Sequence, residues 1–361
     1  MHNQITPAAP ALSPTVSLLS RYLAAKERVL FVGPPGCGKT AQILAAAYAA
    51  GYSVILMRAS LSERIDFNGC LVPDTKAGVT RALPLDILAQ LRAATVPTLL
   101  FLDDLGQAPL DVQAAIMSLF DTGALPDCVV IWGATNRPGD KAGVSALCEP
   151  LRSRFTLKFN APVPTVPANN NAVTGPFLGT WQESLESWLQ WAEDNAAAPA
   201  EILAWHRATE GKHLYDWKPC ADPSLSMPDF RSWATAIRLW NNGFRDLGTF
   251  AAALGKPAAA EYLAFASLAN QLPSPQQIAI DPTGAQLPAD PSALYLVATM
   301  LSQTAHAGNV PAFLVYLARM PRVFGAFLAR SLFRKLGAQL SGIKAWNQWF
   351  TANQDLFNAA A

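Results

Sequence analysis

Charge is what this chain has little of. Asp, Glu, Lys and Arg make up 15% of its 361 residues and nearly cancel, 27 basic against 26 acidic, for a formal net charge of +1. No global field draws such a chain to nucleic acid or to an anionic membrane, so any contact of that kind has to come from a local patch. Cysteine is scarce as well. The five thiols, Cys37, Cys70, Cys128, Cys148 and Cys220, are scattered, odd in number and never spaced C-x-x-C, which argues for reduced core or loop residues in a cytosolic protein. The four histidines, His2, His206, His213 and His306, lack ligand spacing, and none is assigned to a metal or to catalysis. The opening MHNQITPAAP has no basic or apolar signal region, and the charge-free stretch from Ala41 to Met57 is interrupted by Gln42, Gly51 and Ser53. Neither a signal peptide nor a membrane span is expected, and a cytoplasmic location is.

What is abundant is apolar residue, 51% of the chain, with alanine supplying most of the excess. That composition suits closely packed helices, excludes a largely disordered chain, and at this length predicts two or three domains.

One stretch organises the rest. Val29–Val32 is a short apolar run that stops at Gly33, passes through a Pro/Gly-rich turn and gives way to the helix-forming Ala41–Ala50. The turn, GPPGCGKT, matches G-x-x-x-x-G-K-[ST] between a strand and a helix. Gly33, Gly36 and Gly38 let the backbone bend, so that Gly33, Pro34, Pro35, Gly36, Cys37, Gly38, Lys39, Thr40 and Ala41 line a phosphate site at a helix N-terminus, all but the two prolines offering an N–H. Lys39 is expected to reach the β- and γ-phosphates and Thr40 to offer its hydroxyl to Mg2+.

Further along, Val16–Lys26 carries Leu18, Leu19, Tyr22 and Leu23 at helical spacing, and Ser53–Met57 reads as a second strand. Ser62–Pro84 holds too many breakers for one helix, and its PDTKAG turn between Val72 and Val79 predicts a hairpin. A short helix over Asp86–Ala93, a third strand over Thr98–Leu102, a helix over Asp111–Leu119, a fourth strand over Cys128–Trp132 and a fifth over Phe155–Phe159 follow. Strands alternating with helices predict a mostly parallel sheet covered on both faces. Asn160–Gly179 is a Pro/Asn-rich connector, and beyond it the pattern is helical, with an extended Pro-rich loop expected over Leu272–Pro291.

The third strand ends in Asp103-Asp104. Ligands of parallel sheets bind at the carboxyl ends of the strands, which puts Asp103 beside Mg2+ and Asp104 where it orients the attacking water. The tryptophans Trp181, Trp188, Trp191, Trp205, Trp217, Trp233 and Trp240 lie at helical spacing and read as core rather than as a stacking platform for bases. Arg319, Arg322, Arg330, Arg334 and Lys335 form a basic cluster, read as a solvated or subunit-facing surface ahead of a nucleic-acid contact.

The order of GPPGCGKT, LLFLDDL, VVIWGATN and LRSRF resembles that of the AAA+ ATPases. FNGCLVPD, LDDLGQAPLDVQAAIMSLF and NRPGDKAGVSALCEPLRSRF resemble the MoxR-like branch, and the likeness runs through WLQWAE to MPDFRSW, about residues 15–245. The resemblance implies an α/β fold with a three-layer P-loop core over residues 15–160, a helical lid over 181–244 and a helical C-terminal extension over 245–361, while composition makes residues 1–14 a flexible arm and 161–180 a linker. It implies a role for Asn136 in placing water against the γ-phosphate, for Arg154 as an arginine finger entering a neighbouring subunit, with Arg152 as the competing candidate, and for Arg231 as a lid arginine contacting phosphate in cis. A trans-acting finger needs a neighbour, so a ring, expected to be a hexamer, is implied.

Function follows as an expectation: an ATP hydrolase with ATP and Mg2+ that remodels, activates or assembles a partner protein, with a von Willebrand factor A-type domain in that partner. A DNA-handling motor and a nucleotide-gated scaffold with little turnover are the alternatives. The family usually has glutamate where this chain has Asp104, and the shorter side chain is expected to slow hydrolysis. Leu71, Val72, Lys76 and Val79 on the expected hairpin would meet the client.

Overall fold

The computed structural model describes residues 14–140, 147–160, 181–218, 220, 222 and 224–355. The expected arm, apart from Pro14, and the expected linker lie outside the described residues. The chain forms two compact units, one from Met1–Ser187 with Tyr215–Arg231, the other from Trp188–Leu214 with Ser232–Ala361.

Among the described residues the first unit has seven strands: β1 (Val29–Val32), β2 (Ser53–Arg58), β3 (Cys70–Asp74), β4 (Val79–Leu83), β5 (Thr98–Asp103), β6 (Val129–Thr135) and β7 (Leu157–Asn160). Five make one sheet in the order β2-β5-β6-β1-β7, and every pairing in it is parallel. Parallel neighbours need crossovers, and helices such as Lys39–Ala49, Asp86–Arg92 and Leu110–Met117 supply them. Strand β5 is buried at five successive positions, the mark of a strand covered on both faces. Leu30, Leu100, Leu102 and Ile131 face a core shared with Leu88, Leu91, Val112 and Ile116. Their alternates Val29, Phe31, Leu99, Phe101, Val130 and Trp132 are buried too, with Phe31 and Trp132 in edge contact at 5.4 Å. The α/β three-layer core is therefore present. Strand β6 runs three residues past the expected end at Trp132, because Gly133, Ala134 and Thr135 are as enclosed as what precedes them.

The register decides where chemistry gathers. Val32 of β1 stands beside Thr135 of β6, and Leu102 of β5 beside Gly133, so the carboxyl ends of three adjacent strands finish together. Strands β3 and β4 form a separate antiparallel hairpin across Ser62–Pro84, pairing Cys70 with Leu83 and Asp74 with Val79. A short helix, Arg64–Asn68, precedes it with a reciprocal cap between Glu63 and Asp66.

The second unit is helical among the described residues. Two helices in it owe their starts to caps, one of them inside the expected extended loop. Leu247–Leu254 is almost wholly apolar or alanine and offers no periodicity, but Asp246 caps it by accepting from the Thr249 N–H at 2.8 Å. Pro275–Ile280 interrupts the expected extended loop, started by a Ser274–Gln277 capping box with Pro275 in the first turn. The basic cluster is largely spent on the chain itself. Arg319 donates to the carbonyls of Pro282 and Ala285, both at 2.8 Å, Lys335 donates to the carbonyls of Ser302 and Gln303, and Arg334 pairs with Glu193.

Within this unit His206 is completely buried, its ring edge-on to Trp188 at 5.1 Å and to Trp233 at 4.2 Å. Neither ring nitrogen has a hydrogen-bond partner among the described residues. Burial, with a smaller contribution from His213, lowers its pKa from 6.5 to about 3. The folded chain thus keeps His206 neutral while the unfolded chain protonates it below 6.5. The stability this confers is full above pH 6.5 and is lost as pH falls toward 3, by up to about 1.4 kcal/mol per pH unit. Urea melts followed by tryptophan fluorescence at pH 7.5 and pH 5 should show this loss in wild type and a flatter response in His206→Phe. Equal pH dependence in the two would contradict it.

Candidate nucleotide site

The loop between β1 and the helix Lys39–Ala49 is shaped by Gly36 and Gly38, at φ of 70° and 88°. Gly38 is the last non-helical residue, so Lys39 and Thr40 open the helix and the free N–H groups of its first turn face the loop. Lys39 is 8% exposed and uses its ammonium fully: Nζ donates to the carbonyls of Gly33 and Pro34 and to Oδ1 of Asn136, each at 2.9 Å. The Thr40 hydroxyl donates to Oδ2 of Asp103 at 2.9 Å. Residues tens of positions apart in sequence thus meet at the ends of β1, β5 and β6, as the register requires.

Thr135 ties the strand ends to one another. Its carbonyl accepts from Gly33 N–H at 3.1 Å, and its hydroxyl accepts from Gly106 N–H at 3.1 Å. Beyond Asn136, Arg137 grips Asp140 with a forked contact, 2.8 Å at the shortest, and Asp140 is 5% exposed. That pair, buried at Asp140 and partly exposed at Arg137, lies beside the phosphate loop, since the Arg137 charge acts on Cys37 and Tyr215.

Asp104 has a left-handed backbone, φ 57° and ψ 35°. Aspartate is among the non-glycine residues enriched in that conformation. Its carboxyl is pushed above the usual range by burial and by the neighbouring Asp103 carboxylate, opposed by Lys39, Arg58 and Arg231. A carboxylate raised in this way is a better proton acceptor, which suits a group that orients water. Arg231 thus belongs to the same electrostatic neighbourhood as Asp104. Arg58, at the end of β2 and paired in register with Asp103, joins it. No motif marks Arg58 in the sequence, although its position after an apolar run is that of Asp103.

Arg154 is elsewhere. Its guanidinium donates to the Pro150 carbonyl at 2.9 Å and reaches Met117 Sδ at 3.7 Å and Asp121 at 3.8 Å, none of them in the phosphate loop. Arg152 pairs with Glu149. Three more residues reach the loop from the segment Tyr215–Arg231: Tyr215, which no motif marks, and Asp229 and Phe230, which lie in MPDFRSW but to which the sequence assigns no role.

The arrangement has the donors that a nucleotide triphosphate needs: a helix N-terminus and an ammonium for phosphate, a hydroxyl and a single carboxylate for a divalent cation. Among the described residues no group of three or more His, Cys, Asp or Glu is placed to hold a metal. One carboxylate beside one hydroxyl suits Mg2+, which keeps water and phosphate oxygens in its shell.

Residues 29–163 match the family described as ATPase family associated with various cellular activities (AAA). That stretch, a little over a third of the chain, is similar to an AAA ATPase domain. Within curated proteins, this part of the chain is similar to the mitochondrial sorting homolog of Caenorhabditis elegans, 30% identical over 157 residues, which are 40% of this chain and 41% of that protein. The outer mitochondrial transmembrane helix translocase of Danio rerio is 32% identical over 152 residues, 38% of each chain. ATPase family gene 2 protein homolog B of Homo sapiens is 32% identical over 151 residues, 37% of this chain and 19% of that one. The chain therefore spans about two-fifths or less of the length of these relatives, and the likeness is one of AAA domains. Solved structures with overlapping chains include NtrX from Brucella abortus in complex with ADP, at 15% identity and a TM-score of 0.40 over 93% of this chain and 70% of that one. The Thermotoga maritima RuvB Holliday junction branch migration motor overlaps at 20% identity and a TM-score of 0.32 over 70% of this chain and 87% of that one. Among the described residues, no helix is long and apolar enough to cross a membrane.

Proposed function

We propose that this chain binds and hydrolyses Mg·ATP in a ring of copies of itself and uses the cycle to remodel a partner protein, in the manner of the MoxR-like ATPases it resembles. The observation that supports hydrolysis most is the pair of bonds joining the phosphate loop to two neighbouring strand ends, Lys39 to Asn136 and Thr40 to Asp103, each 2.9 Å. Lys39 and the loop N–H groups hold the phosphates. Thr40 and Asp103 hold Mg2+, which when bound neutralises charge on the phosphate oxygens. Asp104 and Asn136 orient the attacking water, and Arg231 contacts the phosphates in cis. Arg154 of an adjacent copy supplies a planar, always-charged donor to the transferred group. The deciding experiment is phosphate release from Mg·ATP by the purified chain. None at any protein concentration would leave only a nucleotide-gated scaffold.

The client surface in this reading is the β3–β4 hairpin, with a von Willebrand factor A-type domain as the partner. Leu71 is 70% exposed, Val72 39%, Val79 51% and Leu83 50%, an apolar ribbon in solvent. The Asp74–Arg81 ion pair at 2.9 Å and the N–H groups of Lys76 and Ala77, which donate to Asp74, hold its tip in shape without covering it. Combined replacement of Leu71, Val72 and Lys76 by alanine should leave basal turnover intact and reduce partner-stimulated turnover by roughly ten-fold. The partner is obtained by co-purification with the trapping variant Asp104→Asn held in ATP. Unchanged partner binding and stimulation would remove the hairpin from the mechanism. Stimulation by single-stranded DNA in place of protein would favour a DNA-handling motor.

A further inference from the structure

The segment from Tyr215 to Arg231 belongs to the same compact unit as the phosphate loop and lies against it. The buried Tyr215 hydroxyl donates to the Pro35 carbonyl at 2.7 Å. Asp229 presses on the next residue. A methyl group on Gly36 would fall 2.1 Å from Asp229 Oδ2 and 2.7 Å from its Cγ, so only glycine leaves room for that carboxyl. Phe230 follows, its ring 3.8 Å from where a Gly38 methyl group would be and 5.6 Å from the ring of Tyr215. A bond from Asp216 N–H to the Pro228 carbonyl, 2.8 Å, closes the segment on itself. Asp229 also acts electrostatically on Tyr215, as a negative charge would at close range.

An acid in that place is chemically pointed. The loop is a concave run of backbone N–H groups at a helix N-terminus, built to hold an anion. Asp229 brings an anion of the chain's own to the middle of it, two residues before Arg231, the cation assigned to the nucleotide. Phosphate oxygens and a carboxylate at contact distance repel.

We propose that Asp229 is a charge latch on the phosphate loop: without nucleotide its carboxylate rests on Gly36, and incoming phosphates displace it, moving the helix start that carries Arg231. This rests on the nucleotide-binding reading above. The Tyr215 hydroxyl is the pivot, holding the segment to Pro35 while Asp229 swings. Nucleotide occupancy is thereby converted into a movement of the backbone at residues 229–231, with the acid setting how readily product leaves.

Asp229→Asn tests the latch, since asparagine keeps the size and the helix-capping ability of aspartate and removes only the charge. Binding and release of a fluorescent ADP analogue should show Kd lowered roughly ten-fold, chiefly through slower release, for a like-charge contact of this kind. Asp229→Ser, uncharged and also a good cap, should bind more tightly than wild type as well, and a thermal melt of each variant confirms folding. Introducing Tyr215→Phe into both wild type and Asp229→Asn should shrink the difference in affinity between them, because the pivot is released. Wild-type affinity, or weaker, in both Asp229 variants overturns the latch alone. Wild type that binds no better than Lys39→Ala overturns the latch and the nucleotide reading together.

Discussion

Lys39→Ala should lower ATP turnover by on the order of 10^3-fold, the scale of losing a preorganised cationic donor at a phosphoryl-transfer site. The side chain is 8% exposed and its three bonds, to Gly33, Pro34 and Asn136, are all 2.9 Å. Alanine removes the charge and strands two carbonyls and an amide oxygen, each at a cost of about 1–3 kcal/mol if it stays buried and dry. Loss of activity could then reflect a loosened loop instead of a missing charge. Lys39→Met separates the two, because it retains most of the length of the side chain and fills its space. If the charge matters, the methionine variant is as inactive as the alanine variant while its melting temperature stays closer to wild type. Asn136→Ala serves as the graded comparison: it should keep most nucleotide binding and lose roughly 10^2-fold in turnover, since in the proposed cycle it acts on water and the γ-phosphate rather than on the whole triphosphate. Phosphate release from Lys39→Ala within a few-fold of wild type would show that the chemistry lies somewhere other than this loop.

Much of that site is readable from the sequence because its signals are local. Gly33 to Thr40 is one uninterrupted motif, and Asp103 and Asn136 each end a short apolar run, so a parallel sheet has to bring them to one edge. The five-stranded sheet and the hairpin over Ser62–Pro84 follow from the same alternation of apolar runs and breakers. What escapes the sequence is whatever depends on packing between distant segments. Tyr215 is 180 residues from Pro35, and nothing in the stretch around it repeats at a helical or strand period. Asp229 looks like a helix cap from its neighbours alone, and its contact with Gly36 exists only because the segment folds back over the loop. His206 reads as a helix residue of no special kind until Trp188 and Trp233 enclose it. Asp104 is the instructive case in between. Its identity is visible and its shortness looks like a defect, yet a φ of 57° supplies a reason for aspartate that no spacing rule contains.

Mixing two inactive variants should restore activity if Arg154 acts across a subunit boundary. Its guanidinium is about one-third exposed and is held by one carbonyl, at 2.9 Å, by Met117 Sδ at 3.7 Å and by a loose 3.8 Å pairing with the exposed Asp121. Surface pairs of that kind contribute between nothing and about 1 kcal/mol, so releasing the side chain toward a neighbour costs little. Arg154→Ala keeps a complete phosphate loop and water-orienting group but offers no finger to the next copy. Asp104→Asn keeps the finger and lacks the carboxylate at its own site. Each alone should fall by on the order of 10^3-fold or more. In an equimolar mixture assembled at random, head-to-tail contacts place an intact Asp104 site beside an intact Arg154 at about a quarter of interfaces, and about a quarter of wild-type turnover should return. The recovery must depend on protein concentration, since it needs assembly. No recovery under conditions where wild type is assembled would place Arg154 outside the neighbour's site, and the same mixture made with Arg152→Ala then decides whether the adjacent arginine, now paired with Glu149, is the one that crosses.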